Sequence, residues 1–171
     1  MKENSVIIIG AGIAGSSLSY FLGKKQGDIC LIEKEKPGNL NIYGNPAVAV
    51  YPSFMINILS YNRLMSLSIK HTWNLLNSLD LESEECQMCG AIDLYDTEEG
   101  KKRNSLIHKR SPETNELYRL YNTKKIENLY GIKKKVGFYY ELGGWVSPLA
   151  VCEKLTRRKN IKKFFGTKVL K

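Results

Sequence analysis

At 171 residues, with 43% hydrophobic and 25% charged side chains, the chain is long enough for a real core and has the composition of a globular domain. It carries 26 Lys+Arg against 17 Asp+Glu, a net charge of +9, which favours polyanionic partners such as RNA, DNA or an anionic surface. No apolar run approaches the roughly 20 residues of a membrane span, and Met1-Lys2-Glu3-Asn4 opens without a signal-peptide pattern, so the expected location is the cytoplasm.

The first apolar run, Val6-Ile7-Ile8-Ile9, suits a strand buried on both faces, as parallel sheets require. Gly10, Gly12 and Gly15 follow in G-x-G-x-x-G spacing. The first glycine permits a tight turn, the second lets a pyrophosphate approach the backbone, and the third lets a helix pack closely on the strand. A helix beginning near Ile13 and Ala14 would present free N–H groups and a positive dipole end to an anion. It runs to Lys25 with Leu18, Phe21 and Leu22 on one side, and Gly27 breaks it. Cys30-Leu31-Ile32 is a second short apolar run ending in Glu33. A carboxylate roughly 20 residues past the glycines is what a βαβ nucleotide site uses to accept ribose hydroxyls. With strand, glycines, helix, strand and acid in this order, a dinucleotide site is the better reading than an empty glycine turn beside a surface glutamate.

Lys34 to Leu40, with Pro37-Gly38, reads as a loop. In Tyr43-Gly44-Asn45-Pro46-Ala47-Val48-Ala49-Val50-Tyr51-Pro52, small residues and a turn precede a short apolar stretch. Small side chains let backbone amides approach a ligand. On physics alone this segment is equally a second cofactor-contacting loop or an ordinary turn before a buried strand. From about Ser60 to Leu79 a helix carries Met65, Ile69, Trp73 and Leu76 on one stripe, where Trp73 reads as core. Gly90 to Asp96 alternates as a half-buried strand, Thr97 to Asn104 reads as a hairpin turn or loop, and Leu106 to His108 as the return strand. Ser111-Pro112-Glu113 has helix-start chemistry, and Ile126, Leu129 and Tyr130 form a helical turn stopped by Gly131. Val136, Phe138, Tyr140 and Leu142 alternate with smaller or polar neighbours as a strand with one buried face. After Gly143-Gly144-Trp145-Val146, Ser147 caps and Pro148 opens a helix carrying Leu149, Cys152 and Leu155. Lys162 to Leu170 points to a last strand able to rejoin the first sheet.

The cysteines are Cys30, Cys86, Cys89 and Cys152. Cys86-Gln87-Met88-Cys89 has C-x-x-C spacing, but zinc needs two more suitably spaced ligands, and His71 and His108 stand alone. The reading is ordinary thiols and no metal. The positive charge gathers in Lys101-Lys102-Arg103, Lys124-Lys125, Lys133-Lys134-Lys135, Arg157-Arg158-Lys159 and Lys162-Lys163. Charge alone does not separate a functional patch from a lysine-rich solvated surface.

Three spaced segments together carry a resemblance: Ile9 to Gly15, Gly44 to Pro52, and Gly143-Gly144-Trp145-Val146-Ser147-Pro148 with Val151 and Cys152. The chain resembles the D-amino-acid-oxidase-like FAD superfamily. Within it, the chain is similar to the FAD-dependent oxidoreductase domain of the bifunctional tRNA 5-methylaminomethyl-2-thiouridine biosynthesis proteins. Val48 or Ala49 stands where that family often carries a glycine. The resemblance implies an α/β fold with an α+β insertion: a Rossmann-type FAD-binding layer (residues 1–80 and 145–171) holding part of a mixed or antiparallel substrate sheet (81–144), truncated. It implies FAD bound through Gly10, Gly12, Ile13, Ala14 and Gly15, with Glu33 and Lys34 at the adenosine end and Gly44, Asn45, Ala47 and Val48 near the pyrophosphate or flavin. It names no catalytic residue. It implies oxidative removal of a carboxymethyl group from a wobble uridine of tRNA, by hydride transfer from an N–CH2 carbon and hydrolysis of the imine. Family members continue well past the position of Lys171, so the resemblance also implies a missing C-terminal half, or a separate methyltransferase, as partner. The alternatives are a small-molecule amine or amino-acid oxidase of the same superfamily and an inactive remnant.

Overall fold

The computed structural model describes residues 6–25, 27–36 and 44–170; the loop expected at Pro37-Gly38 lies outside them. The chain forms two compact units, one of residues 1–48, 76–86 and 146–171, the other of residues 49–75 and 87–145.

In the first unit, β1 (Val6–Ile9), β2 (Ile29–Ile32) and β9 (Ile161–Phe164) make a parallel sheet in the order β1-β2-β9. The last strand therefore does rejoin the first sheet. Helix α1 (Ile13–Lys25) joins β1 to β2, as parallel neighbours require. Ile8, Ala11, Ile29, Leu31 and Ile161 form the core of this unit, with Leu22 and Phe165 packed against it. Two expectations are corrected here. β1 is not buried on both faces: Ile8 is 6% exposed, but Ile7 is 50% and Ile9 67% exposed. By strand alternation and register, Ile7 and Ile9 share the second face with Cys30, Ile32 and the half-exposed Phe164. And α1 turns Leu18 and Phe21 outward while burying Ser16, Ser19, Tyr20 and Gly23. Small residues allow close helix packing, and the buried hydroxyls are satisfied locally: Ser16 Oγ donates to Ala11 O at 2.9 Å and Ser19 Oγ to Gly15 O at 2.7 Å. Asn160 Nδ2 donates to the carbonyls of Gly23 and Gly27 at 3.0 and 2.9 Å, anchoring the start of β9 to the end of α1.

Helix α5 (Pro148–Leu155) also belongs to the first unit. It starts as expected, with the Ser147 side chain accepting from Ala150 N and Pro148 in the first turn.

The second unit is built on an antiparallel sheet, order β5-β7-β6, of β5 (Ala91–Asp96), β7 (Lys135–Tyr140) and β6 (Arg119–Tyr121). Phe138 and Tyr140 on one face pack with Phe54, Ile107 and Tyr118. Helix α3 (Thr97–Arg110) lies against this face. It replaces the loop and return strand expected over 97–108. Glu98 and Glu99 occupy its first turn and His108, Lys109 and Arg110 its last, matching the helix dipole at both ends. A Cβ at Gly100 would overlap Val136, so the glycine sets how closely α3 approaches β7. Helix α4 (Thr123–Tyr130) covers the opposite face, where Ile126 is fully buried over Gly137 and Ile92. Asn122 caps it, accepting from Lys125 N at 2.9 Å, and Gly131 ends it in the left-handed region with φ +71°. The long helix α2 (Leu59–Asn77) buries Ile69, Trp73 and Leu76, as its stripe predicts. Trp73 is core, with its Nε1 donating to Leu142 O at 2.8 Å. The short strands β3 (Val48–Val50), β4 (Cys86–Gln87) and β8 (Gly144–Val146) form a third sheet, order β3-β8-β4.

Candidate functional site

The turn between β1 and α1 is shaped by its glycines. Gly10 adopts φ +100°, a conformation that side chains resist, while its N–H donates to Ile32 O at 2.8 Å and keeps the turn on the sheet. Among the described residues nothing lies within 4 Å of where a Gly10 Cβ would sit, so the space before this residue is open. At Gly15 the opposite holds: a Cβ would overlap the carbonyl oxygen of Gly10. The first glycine thus bends the chain and leaves room, and the third lets the helix close onto the turn. Gly12 is half-buried and its carbonyl accepts Ser16 N at 2.9 Å, opening the helical ladder. Ile13 and Ala14 are exposed in the first turn, which carries no acidic side chain. The free N–H groups and positive end of α1 are not neutralised from within the helix.

Glu33 stands at the carboxyl end of β2 and is 8% exposed. Its Oε2 accepts the N–H of Ala11 at 2.9 Å and its Oε1 accepts the N–H of Glu35 at 3.0 Å. Burial by itself would push this carboxyl up. The backbone N–H groups of Ala11, Glu35 and Lys34, with the Lys34 charge, outweigh burial and hold it below the ordinary glutamate range. Glu33 is therefore ionised at neutral pH. It also clamps the glycine turn to β2, a role the spacing did not reveal. Each carboxylate oxygen has a second lone pair, so the clamp leaves acceptor capacity for a hydroxyl.

Gly10 and Glu33 open onto one cleft of about 300 Å³, lined also by Ile9, Ile32, Lys34 and residues 167–169. It lies past the carboxyl ends of β1 and β2, where open α/β sheets bind ligands. Thr167, Lys168 and Val169 are wall residues that sequence reasoning missed. The chain after β9 is held there by Gly166 N donating to Glu35 O at 3.0 Å and Thr167 N donating to Glu33 O at 2.9 Å. No spacing rule signals this, because it depends on β9 joining β2. Lys34 is exposed and makes a 3.8 Å ion pair with Glu35.

The second expected loop, Gly44 to Val48, leads into β3. Gly44 (φ +76°), Asn45 and Ala47 are exposed and Val48 is half-buried at the start of β3. Among the described residues no hydrogen bond joins them to the glycine turn. Cys86 is half-buried, and burial pushes its thiol up, while Cys89 is exposed.

A glycine turn opening a helix N-terminus, beside an ionised carboxylate with acceptor capacity to spare, is the pairing found in βαβ dinucleotide-binding proteins. Here it belongs to a defined family: residues 5–171 match the FAD dependent oxidoreductase family, and the chain is a member of it. FAD is the cofactor of that family, and the open space at Gly10, the ionised Glu33 and the cleft between them fit its adenosine diphosphate half. The chain is similar to the tRNA 5-methylaminomethyl-2-thiouridine biosynthesis bifunctional proteins of Methylobacillus flagellatus and Chromobacterium violaceum. The first is 29% identical over 99% of this chain and 26% of the relative; the second is 26% identical over 94% and 24%. Among solved structures, iminodiacetate oxidase from Chelativorans shares the fold with a TM-score of 0.71 at 20% identity, over 92% of this chain and 46% of that one. Glycine oxidase from Bacillus cereus does so with a TM-score of 0.71 at 18% identity, over 98% and 48%. The chain thus spans about a quarter of the length of these curated relatives and under half of these solved chains.

Proposed function

We propose that this chain is the cofactor-holding portion of a cytoplasmic FAD-dependent oxidoreductase acting on a CH–NH bond of a modified wobble uridine in tRNA. The reaction is the oxidative removal of the carboxymethyl group from 5-carboxymethylaminomethyl-2-thiouridine. The observation that carries the cofactor half of this reading is the shared cleft of Gly10 and Glu33, with Glu33 held ionised by the turn it clamps. The tRNA half is supported by the tRNA-modifying relatives that match nearly the whole chain, and by the net charge of +9.

In this reading Gly10 and Gly12 leave room for the pyrophosphate, and the N–H groups at Ile13, Ala14 and Gly15 face its charge. Glu33 accepts the ribose hydroxyls and Lys34 flanks the adenosine end. Gly44, Asn45, Ala47 and Val48 form the second contact, towards the flavin. Residues 1–80 and 145–171 constitute the FAD-binding layer and 81–144 belong to the substrate layer. FAD, when bound, supplies the two-electron oxidation of a secondary amine to an imine, which water splits into a primary amine and an aldehyde. The protein's part is to bind, orient and set the local charge.

The test is direct. The purified chain is dialysed against FAD, freed of excess, and its visible absorbance recorded. Flavin is expected to co-purify with the wild type, and far less with Glu33→Gln. A colourless protein that takes up no FAD would refute the assignment of this cleft. Incubation with tRNA bearing the carboxymethylated base, against glycine or sarcosine as alternative substrates, then separates tRNA modification from small-molecule oxidation.

A further inference from the structure

The second unit carries a surface that the cofactor chemistry leaves unused. On the α4 side of its sheet, Tyr139 stacks on Tyr121 with ring centroids 5.0 Å apart and planes 13° from parallel. The Lys125 ammonium sits 3.5 Å above the Tyr121 ring. Tyr139 in turn lies against Gly90, whose φ of +82° and missing side chain make room for it; a Cβ there would strike the tyrosine ring. Beside this stack is an open cleft of about 240 Å³ between Tyr139 and Tyr130, floored by residues 89–92. Tyr130 ends α4 and is 47% exposed.

Charge along the chain that builds this surface is one-sided. From Arg119 to Glu141 the chain carries six basic residues (Arg119, Lys124, Lys125, Lys133, Lys134 and Lys135) and two acidic ones (Glu127 and Glu141). Ion pairs occupy Arg119 with Glu141, Lys133 with Glu127 and Lys135 with Asp96. Among the described residues Lys124, Lys125 and Lys134 have no carboxylate partner. Lys134 is presented by a backbone in the left-handed region, φ +58°, which costs a non-glycine residue energy. Lysines without a carboxylate partner, one of them over an aromatic ring, and a cleft with an exposed tyrosine wall match the chemistry of single-stranded nucleic acid. Phosphates neutralise the lysines, and an unstacked base finds an aromatic face. An acidic protein partner would use the lysines but would have no need of the cleft.

We propose that the α4–β6–β7 surface of the second unit is a docking site for single-stranded RNA, with Lys124, Lys125 and Lys134 on the phosphates and one base in the Tyr130–Tyr139 cleft. The proposal rests on the tRNA reading above and gives it a location. It assigns this surface to an RNA loop, where bases are free of a duplex, and sets it in a different compact unit from the glycine turn.

The test measures binding of a fluorescently labelled single-stranded oligouridine by anisotropy across a salt series. Binding by the wild type is expected to weaken steeply as salt rises. Lys124→Gln/Lys125→Gln is expected to lower the slope of log K against log salt by about 1.4, two phosphate contacts at about 0.7 each for a single strand. Tyr130→Ala is expected to weaken binding roughly 5- to 150-fold with little change in slope, and Tyr130→Phe to restore it. Arg157→Gln/Lys159→Gln, in the first unit, serves as the control for general positive charge. All four changes are at exposed residues, and circular dichroism checks that each variant is folded. If the wild type binds and the lysine and tyrosine variants bind as it does, or only one of the two effects is seen, the surface is wrong while the tRNA reading stands. If the wild type binds no RNA at any salt, both fall, and FAD uptake still reports separately on the first unit.

Discussion

Glu33 shows how a side chain at a candidate site is first held by its own fold. Its position at the end of β2 suggested a ribose acceptor, yet the structure makes it first a structural clamp, holding the N–H groups of Ala11 and Glu35. Because those bonds favour the charged form, the folded-state titration lies below the ordinary value of 4.5. A group depressed in this way contributes stability that is complete above the unfolded value and is lost as pH falls through the folded one. The wild type should therefore lose stability on acidification below about pH 4.5, and Glu33→Gln should show a flatter acid limb together with a lower stability at neutral pH. Urea denaturation at a series of pH values checks this; parallel acid limbs would remove the clamp from the account. Gly10 and Gly15 illustrate two opposite needs for glycine, one for a backbone turn in open space and one for contact without a side chain.

At the level of elements, helices formed where local chemistry agreed from end to end. Helix α4 is legible in sequence from Ile126, Leu129, Tyr130 and Gly131, and the structure adds Asn122 as its cap. Replacing Asn122 with Ala leaves the N–H of Lys125 without its side-chain acceptor and should cost about 1 kcal/mol. The change is expected as a lower urea midpoint with an unaltered slope, and an unchanged midpoint would mean that water serves the N–H equally well. Helix α3 escaped the sequence reading because its buried stripe is so thin. Gly100 and Ile107 are its buried residues, and a glycine carries no hydrophobic signal. The acidic start and basic finish were the available clue. Helix α1 is the reverse case: Leu18 and Phe21 are its conspicuous apolar residues, while the buried ones are serines, a tyrosine and a glycine.

Across the whole molecule, the two compact units have cores of different character. The first is aliphatic, around Ile8, Ile29, Leu31 and Ile161. The second is aromatic, with Tyr118 in ring contact with Phe54, Phe138 and Tyr140, and Phe54 also with Tyr140. Buried tyrosines make that second core sensitive to alkali. Burial, then the neighbouring Asp93, pushes Tyr51 up to about 12, and burial above all raises Tyr140 further. Raised folded-state values mean stability that is fully present below the ordinary value of 10 and lost as pH rises through the folded values. Alkaline titration should therefore show a late tyrosinate absorbance step that coincides with loss of near-ultraviolet circular dichroism. Smooth ionisation of every tyrosine near pH 10 with the fold intact would contradict this packing. Among the described residues no helix is long and apolar enough to cross a membrane.

The amino-acid sequence by itself determined the β1–turn–α1–β2 unit, because the apolar run, the glycine spacing and the acid are contiguous and act through neighbouring atoms. It equally determined the helix cap at Ser147, the glycine stop at Gly131 and the pairing-ready alternation of β7. Tertiary structure alone decided which face of β1 and α1 is covered and that Glu33 is held by Ala11. It alone brought residues 167–169 to the cleft and stacked Tyr121 and Tyr139 beneath a lysine. Each of these depends on residues far apart in the chain. Burial, hydrogen-bond partnership and ring contact are properties of what arrives beside a residue, and local periodicity carries no record of it.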